Sequence, residues 1–263
     1  MTNHYKFLLG IILLFILLWV TLNVLEKDSD AIYIAFVGPL SGKGAATGMS
    51  MVQAIQLQLD QINEQSGKKQ KAIILDIFDD RNNSDRARTM AKKIVAQNRA
   101  VAVIGHNCNS CSINAGQIYK EYGIPAITPV STNIKVTKGN EWYFRTIFDD
   151  DLQGRFLANY ARNFLKQDTV SIIHTDTPYS SHLTKIFEET FKKLGDKSND
   201  KTGVIKYKWP LQSEKELDQR INQITNDLKT KTDAAGLIFL ATNAPEGFKL
   251  VSSLKNANIK NPT

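Results

Sequence analysis

Strand-like and helix-like segments take turns along nearly the whole of this chain, and that alternation limits the folds open to it. Residues 31–37 are β-branched and aromatic. Over residues 45–65, Val52, Ile55, Leu59 and Ile62 fall at i, i+3, i+7 and i+10, one face of a helix. Residues 71–78 are apolar again, and 85–96 are helical in pattern. Residues 101–104 read as a strand, 113–122 as a helix and 125–128 as a strand. The second half repeats the scheme. Leu152, Phe156, Tyr160 and Phe164 recur every four residues, and 170–174 is a strand. Leu183, Ile186, Phe187, Phe191 and Leu194 line one helical face, and 203–209 is a strand. Ser213 and Glu216 form a capping box before a helix with Leu217, Ile221, Ile224 and Leu228 on its apolar side. Residues 234–240 are a further strand, and Pro245 opens a last helix carrying Phe248, Val251 and Leu254.

Such alternation predicts an α/β architecture of parallel sheets with right-handed crossovers, covered by helices on both faces. Ligands of such sheets sit at the carboxyl ends of strands. Function is therefore expected in the loops 38–48, 79–83, 105–112, 128–132 and 176–181.

Composition narrows the field. With 42% apolar residues the chain can bury a core, so it is not wholly disordered. Two cysteines in 263 residues exclude a disulfide-stapled miniprotein or a cysteine-rich zinc array. The net charge of +7 is spread over scattered lysines such as Lys68, Lys69, Lys71, Lys192 and Lys193. That reads as a solvated basic surface, with no nucleic-acid partner.

Residues 7–25 carry no charge. At about 1.5 Å per helical residue they cover roughly 28 Å, close to a bilayer's hydrocarbon core. Lys6 precedes the run, and Glu26, Asp28 and Asp30 follow it. The charge bias leaves residues 1–6 in the cytoplasm and sends the body outward. The run is longer than a signal peptide's apolar core and no A-x-A site follows it, which favours an uncleaved transmembrane signal anchor. With no cysteine in the first hundred residues, a lipid-anchored form is excluded.

The loops carry a further pattern: G-P-L-S-G at 38–42, then Gly48; L-D-I-F-D-D at 75–80; V-I-G-H-N-C-N-S-C-S at 103–112; I-Y-K-E-Y-G-I-P at 118–125; I-T-P-V-S-T-N at 127–133; Y-F-R-T at 143–146; H-T-D-T-P-Y at 174–179; and N-A-P-E at 243–246. In order and spacing, over about 230 residues, this resembles a type I periplasmic solute-binding protein of the leucine/isoleucine/valine-binding class.

The resemblance implies two Rossmann-like lobes, lobe 1 over 31–146 and lobe 2 over 151–263, with ligand held in an interlobe cleft. It implies that Asn109 or Ser110 binds a ligand carboxylate together with backbone N–H groups, at a helix N-terminus suited to an anion. It assigns the backbone carbonyl of Val130 and the hydroxyl and N–H of Thr132 to the amino and carboxylate groups. Tyr179 closes over the ligand, Ser41 and Thr47 line the first loop, and Asn243 lines the far wall. Thr47 and Asn243 stand where the family often has aromatics, so a preference for leucine or valine does not carry over. The family continues beyond Thr263, so lobe 2 is expected to be incomplete. The acidic partner of the ligand's ammonium is expected past that point.

Other motifs allow plainer readings. Cys108-Asn109-Ser110-Cys111 is compatible with a local disulfide, a redox pair or two plain thiols. The cysteine pairing usual in the family is absent, because Asn82 stands at the partner position. The sequence G-P-L-S-G-K-G at 38–44 fails the phosphate-loop pattern. The histidines show no metal-ligand spacing, and His106 reads as a loop or core residue. Asp79 and Asp80 read as turn and capping residues.

No cofactor, metal or catalytic residue is expected, and the chain is not read as an enzyme. The primary reading is an extracytoplasmic, membrane-anchored module that captures a small polar ligand, an amino acid or related compound, for an ABC permease. The alternatives are a ligand-sensing domain working with a signalling partner, and a thiol oxidoreductase using Cys108 and Cys111.

Overall fold

The computed structural model describes residues 31–66, 71–195, 203–209, 214–231, 235–242 and 244–259. The run at 7–25 expected to anchor the chain, Ser213 of the expected capping box, and Asn243 lie outside these. Among the described residues no helix is long and apolar enough to cross a membrane.

The chain divides into two compact units. The first comprises the described residues of 1–107 together with 114–128 and 142–144; the second comprises 108–113, 129–141 and 145 onward. The first holds a five-stranded sheet in the order β2-β1-β3-β4-β5. Its strands are β1 (Ile32–Gly38), β2 (Ile73–Asp79), β3 (Ala100–Gly105), β4 (Ala126–Thr128) and β5 (Tyr143–Arg145). β1 runs parallel to β2 and to β3, and β3 parallel to β4. The connecting helices are α1 (Ala45–Ser66), α2 (Ser84–Gln97) and α3 (Asn109–Tyr122). The first unit's core is Ala35, Phe36 and Val37 of β1 with Ala87, Ala91 and Ile94 of α2 and Val103 of β3.

The second unit holds a parallel three-stranded sheet in the order β7-β6-β8, from β6 (Thr169–Thr175), β7 (Gly203–Trp209) and β8 (Leu237–Ala241). Its helices are α4 (Asp150–Asn159), α5 (Pro178–Lys193), α6 (Glu214–Lys231) and α7 (Ala244–Asn256). The two-residue period of a strand splits β6 between two cores. Ile173 packs with Ile221, Ile224 and Leu228 of α6 and Leu250 and Leu254 of α7. Val170 and Ile172 pack with Ala158 of α4 and Phe187 and Phe191 of α5. Both faces of this sheet are therefore covered, as its apolar strands require.

Local chemistry sets the helix starts. Asn83 caps α2 by accepting from the Arg86 N–H at 2.9 Å. Asp149 caps α4 through the Leu152 N–H at 2.8 Å, and Thr177 caps α5 through the Ser180 N–H at 3.1 Å. α3 begins at Asn109, four residues before the expected 113. Its first turn, N-S-C-S, has no apolar periodicity, and tertiary bonds to Ser131 and Asn133 hold it instead. The quartet Leu152, Phe156, Tyr160 and Phe164 faces outward: all four are between 43% and 69% exposed.

Two glycines are fixed by close approach. At Gly154 a Cβ would lie 2.9 Å from the Ile186 Cβ, so α4 and α5 pack at that distance only with glycine there. At Gly48, in the first half of α1, a Cβ would overlap the Pro39 carbonyl oxygen. Gly48→Ala is expected to destabilise the protein by about 1–3 kcal/mol, read as a fall in the denaturant midpoint. An unchanged midpoint would mean that the 38–42 loop yields freely.

Candidate functional site

In the first unit the loop after β1 is tied to the end of β2. Asp79 accepts from the Ser41 hydroxyl at 2.7 Å, the Leu40 N–H at 2.8 Å and the Arg81 N–H at 3.0 Å. Burial pushes the Asp79 pKa up, but these donors outweigh it and lower it to about 2. Ser41, expected to face a ligand, thus spends its hydroxyl on Asp79. Thr47 is exposed on the first turn of α1. Asp80 accepts from the Asn82 N–H at 2.9 Å.

The same unit holds a buried polar cluster. His106 Nδ1 is 2.6 Å from Asp80 Oδ2, and its Nε2 is 3.0 Å from the Tyr119 hydroxyl. Asp80, His106 and Tyr119 are all fully buried. Burial, helped by Tyr143 and Asp80, holds the Tyr119 hydroxyl well above its ordinary pKa. The Tyr143 hydroxyl donates to the Gly105 carbonyl at 2.7 Å and accepts from the His106 N–H at 3.0 Å. These bonds fix the end of β3 and make His106 a core residue.

The second unit gathers most of the other expected site residues. Its 129–137 loop is stitched by Arg145, which donates to the Asn133 carbonyl at 3.0 Å and to the Thr137 hydroxyl at 3.0 Å. Asn109, at the start of α3, accepts from the Asn133 N–H at 3.1 Å. Asn133 also donates to the Pro178 carbonyl at 3.2 Å, linking the loop to the start of α5. Ser110 is half-buried on the same turn as Asn109, and Val130 is exposed. Thr132 is buried, and its carbonyl accepts from the Asp150 N–H at 2.9 Å.

Asp150 was not among the expected site residues, and it is the most unusual group here. It is 0% exposed, and neither carboxylate oxygen has a hydrogen-bond partner at ordinary geometry. Burial raises its pKa, and Asp149 adds to this. The Thr132 hydroxyl, His182 and Arg145 pull the other way without winning. Tyr179 is half-buried on the first turn of α5. Its pKa is raised by burial and by Asp150, against a hydrogen bond to Gln153. Next door, Asp151 takes His182 Nε2 at 2.7 Å.

The sequence signal for Asp150 is the triple acid at 149–151 after Y-F-R-T. Spacing does not say which of the three is buried. The fold divides the work: Asp149 caps α4, Asp151 pairs with His182, and Asp150 is turned inward with only the Thr132 hydroxyl beside it. The arrangement can hold a small cation against Asp150 and Thr132. Among the described residues no group of three His, Cys, Asp or Glu is placed to hold a metal ion.

Two outcomes follow. Asp79 adds stability that is fully present above its unfolded value of 3.8 and is lost as pH falls through about 2. Ser41→Ala removes one donor, so a carboxyl NMR titration is expected to show the Asp79 pKa moving up towards 3.8. Asp150 has the opposite sign. Its raised pKa means that the ionised form costs stability at neutral pH, and the cost disappears as pH falls through that pKa. Asp150→Asn is expected to raise the melting temperature of the ligand-free protein at pH 7, with a stability gain of about 1–3 kcal/mol. The gain should shrink on acidification. A lower melting temperature at pH 7 would show that Asp150 is satisfied after all.

The chain matches the family profile described as periplasmic binding protein over residues 31–261. It is similar to an amino acid binding protein of Pseudomonas aeruginosa, 30% identical over 229 residues, covering 87% of this chain and 58% of that one. It is also similar to a leucine-, isoleucine-, valine-, threonine-, and alanine-binding protein of the same organism, 29% identical over 170 residues, covering 64% of this chain and 45% of that one. In fold it is similar to a branched-chain amino acid transporter substrate binding protein of Streptococcus pneumoniae solved with isoleucine. There the TM-score is 0.65 at 23% identity, over 85% of this chain and 67% of that one. A solute binding protein of Rhodopseudomonas palustris solved with 3,4-dihydroxy benzoic acid gives a TM-score of 0.71 at 17% identity, over 87% of this chain and 59% of that one. The chain thus spans about half the length of the curated relatives it matches. Its α/β sheets with flanking helices are those of a type I periplasmic binding protein. The thiol-oxidoreductase alternative is set aside with this result, since the family captures solutes and is not enzymatic. Profile, relatives and fold agree: the chain belongs to the periplasmic binding protein family.

Proposed function

We propose that the chain is the solute-capturing part of an extracytoplasmic binding protein that takes a free amino acid and serves an ABC importer. The observation that carries this reading is Asp150, a fully buried carboxyl whose oxygens make no hydrogen bond at ordinary geometry, with the Thr132 hydroxyl beside it only partly offsetting the cost of burial. A buried charge of that kind is costly unless a cation pairs with it. An α-ammonium beside the Thr132 hydroxyl supplies that cation. The ligand's carboxylate then falls to the first turn of α3, where Asn109, Ser110 and the positive end of the helix dipole favour an anion. The Val130 carbonyl serves the ammonium, and Tyr179 packs over the ligand's backbone. Ser41, Thr47 and Asn243 remain proposed ligand residues on the family resemblance. The relatives named for amino acids support the ligand class.

Residues 7–25 favour a second reading of how the module works. An uncleaved apolar anchor suits a tethered ligand-sensing domain with a membrane signalling partner as well as it suits an importer. In either reading the body lies outside the cytoplasm.

The test uses calorimetry with L-leucine, L-threonine and L-alanine as probes. Asp150→Asn is expected to weaken the best binder about 100-fold or more, the scale of breaking a buried charge pair. Wild-type affinity should also fall as pH drops through the raised Asp150 pKa, because the protonated carboxyl no longer attracts an ammonium. If 4-methylpentanoate, which is leucine without its amine, binds as tightly as leucine, Asp150 has no such role.

A further inference from the structure

The two cysteines of this chain form one disulfide, Cys108–Cys111, with Cα atoms 5.1 Å apart. It closes the first turn of α3, and between its two halves lie Asn109 and Ser110. Cys108 stands immediately before the helix, where an N-cap belongs. The Cys111 N–H donates to its Sγ at 3.1 Å, the Ser112 N–H to its carbonyl at 2.9 Å, and the Ser110 hydroxyl lies 3.4 Å from the same sulfur. Sulfur is a weak acceptor, so as a cap it is a poor substitute for the oxygen of Ser, Thr, Asp or Asn. The far side of the turn is pinned by conventional bonds: Ser112 Oγ to Ser131 Oγ at 2.7 Å and Asn109 Oδ1 to the Asn133 N–H at 3.1 Å. Cys111 and Ser112 are fully buried, while Cys108 is half-buried. One end of the turn is thus set in the protein interior, and a covalent link from the half-buried Cys108 fastens the other to it.

We propose that Cys108 and Cys111 are positioning residues whose disulfide locks the α3 turn, so that the turn receives a ligand carboxylate well only in the oxidised chain. The inference rests on the reading above that this turn takes the carboxylate. Oxidation joins the two thiols at the expense of a disulfide oxidant, which leaves as two thiols. In reverse, a dithiol thiolate attacks the sulfur of Cys108, the less buried of the two cysteines, and Cys111 departs as a thiolate and takes up a proton. The second thiol then releases Cys108, and the reductant becomes a disulfide. Compartments outside the cytoplasm keep such a bond, and the cytoplasm breaks it. The lock therefore closes only after export, and the newly made chain does not sequester amino acids inside the cell.

The full chain is compared oxidised, reduced with dithiothreitol, and reoxidised with glutathione disulfide. Amide hydrogen exchange at residues 109–112 is followed, with calorimetry against L-leucine. Reduction is expected to speed exchange at these amides on the order of tenfold and to weaken leucine binding on the order of tenfold. Reoxidation should restore both. Cys108→Ser with Cys111→Ala keeps an oxygen cap but removes the link. It should behave like the reduced chain under either condition. Unchanged exchange, unchanged affinity, or a variant that binds like the oxidised wild type would each overturn the proposal. If the oxidised chain takes none of the twenty amino acids, the functional reading fails. The disulfide's part in binding then falls with it, whatever the exchange data show.

Discussion

A carboxyl group shut away from water without a full set of donors is the constraint around which the second unit is arranged. Asp150 is fully buried at the first position of α4. A lone charge there is tolerated only because its surroundings are polar and rigid. Its own N–H is held by the Thr132 carbonyl, and the Thr132 hydroxyl, His182 and Arg145 partly offset the cost of burial. Arg145 in turn holds the loop that carries Thr132 and Asn133. Each of these groups keeps one side chain in place for the next. Burial still outweighs these groups, and the Asp150 pKa is raised.

The first unit is built the other way. Its acidic residues are satisfied internally, Asp79 by two backbone N–H groups and a hydroxyl, Asp80 by a backbone N–H and His106. Donors of this number outweigh burial, and the Asp79 pKa falls where that of Asp150 rises. The same residue type at comparable strand and helix ends thus has opposite roles. One fastens a loop, and the other is buried without a full set of donors.

Much of the fold was legible because periodicity is a direct image of burial. From the faces read in the sequence, Phe187 and Phe191, and Ile221, Ile224 and Leu228, pack on β6. The strand at 203–209 is found at those residues. Where the signal was not one of burial, it misled. The start of α3 carries no apolar pattern, so its first turn was invisible. The four-residue recurrence of Leu152, Phe156, Tyr160 and Phe164 looks like a helical face yet points outward. Of the residues the resemblance implies, Thr132 lies beside Asp150 and Asn109 accepts from the Asn133 N–H, whereas the Ser41 hydroxyl donates to Asp79. Asp150 itself hid among three consecutive acids.

The sequence by itself determined the order of strands and helices, the parallel crossovers and the loops at strand ends, because these follow from local periodicity and capping chemistry. It also placed the two cysteines either side of Asn109 and Ser110. Only the tertiary structure decided that those cysteines are joined, that His106 belongs to a buried cluster, and which acid of 149–151 is cut off from water. Those outcomes depend on what is brought close from distant parts of the chain. The cost of burying a charge is set by that three-dimensional neighbourhood, not by the residues beside it in sequence.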